Sequence, residues 1–252
     1  MNRLLKTMLP ALLLAGPALA QSLPADPAQR LPACLDMARA KPAEALAAAR
    51  SWEESGGGIP ARRCAAMAIL HRGDPAAAAK RLAGLAAEMA EIRGPAQEVA
   101  ALHAQAAQAW QMAGDPERAV QALGQAMALR PDDLDLRVDR AVAFALNRQY
   151  WEAVQELDAV LERDPKRLDA WLYRAGAHRL MGNNELALDD AERAVALKPT
   201  DPDALLERGN ARRVTGDLAG AQADWRLVQK LDPDGPAGNA AKVNLERIAA
   251  GG

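Results

Sequence analysis

The chain is predicted to be all-α, a one-dimensional stack of antiparallel helix pairs, and three observations carry that prediction. Pro131, Pro165, Pro199 and Pro233 stand 34 residues apart, each ending an apolar helical pattern. A fixed period of roughly 20–50 residues marks a repeat array, whose units bury their apolar faces only against their neighbours. Small side chains fall into the same register: Ala107, Ala141, Ala175 and Gly209, then Ala119, Ala153, Ala187 and Ala221. Composition agrees, because half of the residues are hydrophobic while aromatics make up only 3%. Alanine-rich helices approach closely. Strand signals are missing: no run alternates Val, Ile and Thr, and no Asn-Gly turn occurs.

Taken in order, residues 1–20 read as a signal peptide. Arg3 and Lys6 form a short basic region, Leu4–Leu14 supplies an apolar stretch, and Ala18-Leu19-Ala20 offers a small-x-small cleavage site before Gln21. The length and flanks favour a cleaved signal over a retained anchor, so the protein is expected to be exported, periplasmic or secreted, without stable membrane insertion afterwards. Residues 21–94 read as two degenerate repeats. Ala33–Ala40 and a segment from Pro42 to Trp52 form one helix pair, and Ala61–His71 and Pro75–Ile92 form another around Gly73-Asp74-Pro75. The next Gly-Asp-Pro comes 41 residues later, which places several extra residues around Gly94-Pro95. Cys34 and Cys64 lie on the first helices of these two units. Neighbouring helices could bring them within the ~4.4–6.8 Å Cα separation of a disulfide, the alternative being two buried thiols.

Residues 95–233 hold four better repeats, 100–133, 134–167, 168–201 and 202–235. Each has a helix stop and a helix start between its two helices. In Gly114-Asp115-Pro116, glycine supplies the left-handed residue, aspartate caps the next helix and proline is tolerated at its first position. Gly182 and Gly216 repeat the stop. The seventh place holds Arg140, Arg174 and Arg208, and the twenty-third holds Glu156, Asp190 and Asp224, whereas the first unit has Ala106 and Ala122. An arginine at a helix interface needs a carboxylate, so these residues read as structural ion pairs. Residues 236–252 supply a capping helix and tail, with Ala241, Leu245 and Ile248 on one face.

The period, with small residues at places 8, 20 and 27, bulky ones at 4, 11 and 24, and proline at 32, resembles the tetratricopeptide repeat (TPR) family. The seventh place departs from it, since the family prefers leucine there. The resemblance implies a right-handed α-solenoid whose first helices line a groove for a protein or peptide. The implied groove residues are Gln108 and Gln111, then Asp135, Val138 and Val142, then Asp169, Leu172, Gly176 and Arg179, and finally Asp203, Leu206, Asn210 and Arg213. Acids and arginines would form rails beside an apolar middle. The Lys and Asn of the family's carboxylate clamp are replaced by Ala104, Gln108 and Asp139, which disfavours an acidic C-terminal tail as ligand.

Other classes find little support. The formal net charge is −2, with no basic run or stripe for a nucleic acid. His71, His103 and His178 stand in no metal-ligand spacing, so neither a metal nor a cofactor is expected. No nucleophile elbow, phosphate loop or Cys-x-x-Cys occurs. The expectation is a non-catalytic interaction scaffold or adaptor of the cell envelope. An accessory subunit or enzyme whose repeats hold a small ligand is the alternative. Partner and oligomeric state are not encoded in any motif.

Overall fold

The computed structural model describes residues 23–250. The predicted signal peptide lies outside the described residues, and among those described no helix is long and apolar enough to cross a membrane. They form thirteen helices in two compact units, which divide between Ala68 and Ile69 and are taken separately.

The first unit holds α1 (Pro27–Ala40), α2 (Pro42–Glu54) and most of α3 (Gly58–His71). Helix α1 begins six residues before the predicted Ala33. Asp26 caps it by accepting from the Ala28 amide at 3.0 Å, with Pro27 in the first turn, so Pro32 lies inside the helix near its start. Cys34 and Cys64, both fully buried, are joined by a disulfide with Cα atoms 5.9 Å apart.

The second unit continues through α4 (Pro75–Glu91), α5 (Ala96–Met112), α6 (Pro116–Leu129), α7 (Leu134–Leu146), α8 (Tyr150–Arg163), α9 (Leu168–Met181), α10 (Asn184–Leu197), α11 (Pro202–Thr215), α12 (Leu218–Leu231) and α13 (Pro236–Ala249). From α4 onward every helix packs on the next, and α7, α9 and α11 also touch in succession, so first helices share one side of the stack. The extra residues expected at Gly94-Pro95 are not a loop insertion. Helices α4 and α5 each have 17 residues against 14 in α6 and 13 in α7, so the surplus is about one turn of each.

The repeat-marking prolines act through the residue before them. Arg130, Asp164, Lys198 and Asp232 end α6, α8, α10 and α12 with φ of −138°, −137°, −144° and −140°. A following proline ring clashes with a helical conformation there, which stops each second helix at the same place. Asp115 and Asp217 cap the second helices α6 and α12, accepting from the amides of Arg118 and Gly220 at 3.1 and 2.9 Å. Gly114, Gly182 and Gly216 take φ of +74°, +82° and +93°. The second repeat has no glycine at its stop, and Arg148 adopts the left-handed conformation instead, at φ +60°.

Alanines fill the interior. Ala153, Leu157 and Val160 are fully buried in a cluster spanning α7 to α9, and Ala204, Ala221, Trp225, Val228 and Ala241 form the heart of another that reaches α13.

Between the paired helices lie the arginines. Arg174 donates from Nε and Nη2 to the two oxygens of Asp190 at 2.8 and 2.7 Å, and Arg208 does the same to Asp224 at 2.9 and 2.6 Å. Arg140 donates to Glu156. Additional partners were not read from the sequence: Arg137 reaches Glu156 at 3.2 Å, Arg212 reaches Asp224 at 2.9 Å, and Asp158 of the preceding repeat accepts from Arg174 at 2.6 Å. Arg174 therefore ties two successive repeats together. In the first repeat, Ala106 and Ala122 are buried in place of such a pair.

Candidate functional site

The side of the second unit formed by first helices carries a repeating set of inward-facing places. Helical spacing of three and four puts places 2, 5, 6, 9, 12 and 13 on one face. Three clefts follow one another along this face. One, of about 320 Å³, is lined by Ala104, Gln105, Gln108, Gln111 and Asp139. The next, of about 290 Å³, is lined by Val142, Ala145, Leu146, Leu172, Tyr173, Gly176 and Leu180 among others. The third, of about 490 Å³, lies between α9 and α11 and is lined by Leu168, Asp169, Leu172, Tyr173, Asp201, Asp203, Leu206 and Glu207.

The sequence-derived groove residues divide into several groups. Gln108, Gln111, Val142, Asp169, Leu172, Gly176, Asp203 and Leu206 line these clefts. Val138 does not: it is only 5% exposed and belongs to the core cluster of α7 to α9, because its place turns toward the neighbouring helix here. Leu172 and Leu206 are half-buried and also pack on the interior.

The charged rails differ from the expected pattern too. Arg167, just before α9, donates to Asp169 at 2.8 and 2.9 Å and to Asp135 at 2.8 Å, so two of the three acids at the second place share one cation. That hydrogen bonding holds the Asp169 carboxyl below its ordinary range. Arg179 is held by Glu207 at 2.7 Å, and Asn210 bridges Glu207 to Asn244 of α13. Arg213 remains exposed.

Asp203 and Asp139 make no ion pair among the described residues. Burial, then Asp201 and Asp232, pushes the Asp203 carboxyl up, and burial, then Asp135 and Asp133, does the same for Asp139. Tyr173, 47% exposed, lines the second and third clefts, the third together with Asp169 and Asp203. Burial and then Asp169, Asp139 and Asp203 raise its hydroxyl above its ordinary value.

Sequence reasoning missed Tyr173 and Glu207, at the sixth place, and a ladder at the thirteenth. Met112, Leu146 and Leu180, 34 residues apart, are 57%, 56% and 54% exposed at the ends of α5, α7 and α9. The signal was available, since bulky apolar residues recur where neither core register nor turn requires them. An exposed apolar series of this kind is unusual without a partner.

The stacked helix pairs, with first helices presenting an apolar and acidic face, define a helical-repeat protein. Two family models, both described as tetratricopeptide repeat, match residues 111–177 and 181–236. Those two stretches are similar to tetratricopeptide repeats, and such domains typically mediate protein–protein interaction and are usually non-catalytic. Among solved structures, MamA from Desulfovibrio magneticus (residues 41 to end) is 21% identical with a TM-score of 0.59, covering 71% of this chain and 97% of that one. A Podosopora anserina protein with nearly identical TPR-like repeats is 21% identical with a TM-score of 0.60, covering 69% and 93%. At such identity these likenesses establish the fold. No curated protein sequence matches the chain.

Proposed function

We propose that the protein is a scaffold or adaptor that binds a segment of a partner protein along the first-helix face of its second unit, and that it works in the cell envelope after export. The ladder Met112, Leu146 and Leu180 carries the binding reading, because three large apolar side chains in repeat register stay more than half exposed, and Leu146 and Leu180 line a cleft. Withdrawing them from water is worth roughly 25 cal/mol per Å² to a partner that covers them. The exported location is supported by the leader-like residues 1–20 and by the Cys34–Cys64 disulfide, which persists in oxidising compartments.

Affinity capture from an envelope fraction, using protein with a photoreactive side chain at position 180 or 192, tests the assignment. Crosslinking of the captured partner from 180 and not from 192 is the expected result. Crosslinking from 192 alone would move the interaction to the second helices. Intact mass of the exported protein should begin at Gln21, and retention of residues 1–20 would contradict a cleaved signal.

A further inference from the structure

The chemistry of the binding face selects a class of ligand, provided that this face is the binding surface proposed above. Tyr173 presents an exposed ring in the wall shared by the two adjoining clefts, with Leu172 beside it and Leu206 across the larger one. Asp169 and Asp203, from successive repeats, line the larger cleft with that ring. Arg167 satisfies Asp169, whereas Asp203 has no ion pair among the described residues. Glu207 adds a carboxylate that Arg179 holds.

We propose that the cleft between α9 and α11 receives a lysine or arginine side chain from an extended, cationic and apolar segment of a partner protein. Its charged head lies against the Tyr173 face beside Asp203, and its apolar neighbours lie on Leu172, Leu206 and the Leu146–Leu180 ladder. A cation over an aromatic ring gains from the ring quadrupole, and carboxylates at the rim strengthen that attraction. An acidic segment would instead bring like charge onto unpaired carboxylates, which costs affinity and slows encounter. Helix axes 8–10 Å apart make about 16–20 Å across three first helices, which roughly five or six extended residues span, so a peptide of about nine residues covers them with overhang.

Fluorescence anisotropy with labelled peptides of about nine residues tests the proposal on the full folded chain at physiological salt. The probes are a peptide alternating leucine and lysine, the same peptide with acetyl-lysine, and the same with glutamate. The lysine peptide should bind, and the acetylated one should bind roughly tenfold more weakly. The glutamate one should not bind. Asp203→Asn and Tyr173→Ala should each weaken the lysine peptide about five- to tenfold, while Glu192→Lys should not. Melting curves confirm that each variant is folded. Lysine-peptide binding indifferent to both weakening substitutions would overturn the proposal, as would equal binding of the acetylated or glutamate peptide, or no binding up to about 1 mM. Loss of peptide binding on Leu180→Asp, with no dependence on peptide charge, would sink the cationic class and leave the binding face standing. Crosslinking of the captured partner from position 192 alone would remove the face itself.

Discussion

Trp225 lies so close over Gly209 that a Cβ on residue 209 would sit 2.5 Å from the indole Nε1 and 2.8 Å from Cδ1. Both belong to the fourth repeat, at places where the first two have alanine opposite leucine, Ala107 with Leu123 and Ala141 with Leu157. Trp225 is fully buried, so it has nowhere to move. Gly209→Ala should therefore destabilise the second unit by about 1–3 kcal/mol, through overpacking. In a Trp225→Leu background the same change should be neutral or stabilising, since alanine favours helix. Denaturant unfolding of the four variants measures this coupling, and additive effects would contradict it.

Arg174 and Asp190 should be coupled as strongly. Asp190 is 5% exposed and both its oxygens face the guanidinium, so Arg174→Ala leaves a buried carboxylate and should cost about 3–5 kcal/mol. Asp190→Ala should add little once Arg174 is gone. Ala106→Ser, in the repeat that lacks the pair, should cost much less than Arg174→Ala. Thermal unfolding of the single and double variants checks both statements.

The Cys34–Cys64 disulfide closes a loop of 30 residues in the first unit. On the chain-entropy view it contributes about 3–4 kcal/mol there. Reduction, or the Cys34→Ala/Cys64→Ala variant, should lower the stability of this unit and raise hydrogen exchange in α1. Unchanged protection of α1 after reduction would contradict that.

Acid should weaken the second unit below the ordinary imidazole range. Burial holds His103 and His178 below 6.5; near His178, Asp190 and Asp158 oppose that effect and Arg174 adds to it. With folded values depressed, the unfolded chain binds more protons once pH falls through 6.5, so stability rises toward neutral pH and is lost below it. A His103→Asn/His178→Asn variant should lose less melting temperature between about pH 7.5 and 5.5 than the parent. Equal losses would assign the acid effect to other groups.

The repeat architecture was legible because turn and packing chemistry recur at fixed places. Proline at place 32 sets the preceding φ, and small residues mark where helices touch. The stop at Arg148 was not legible, since the helix-end hydrogen bond from the Gln149 amide to the Phe144 carbonyl holds it in a left-handed conformation that its own side chain disfavours. The surplus around Gly94 was visible as a length, but its division between two lengthened helices was not, because an added helical turn preserves the apolar period. At the binding face, side-chain type gave Leu172, Asp203 and the glutamines. It could not show that Val138 turns inward, or that Arg167 draws Asp135 and Asp169 together from different repeats. Those outcomes depend on small rotations between helices, which residue spacing does not resolve.

The dissociation constant of the captured partner for Leu146→Asp and Leu180→Asp proteins tests the binding face most directly. These side chains are more exposed than Leu172 and Leu206, which also support the core, so the changes leave the fold intact. Each should weaken binding at least about tenfold, while Glu192→Lys and Arg226→Glu on the second helices should stay within about twofold. Full affinity in the Leu146 and Leu180 variants, with loss in the Glu192 and Arg226 variants, would contradict the account.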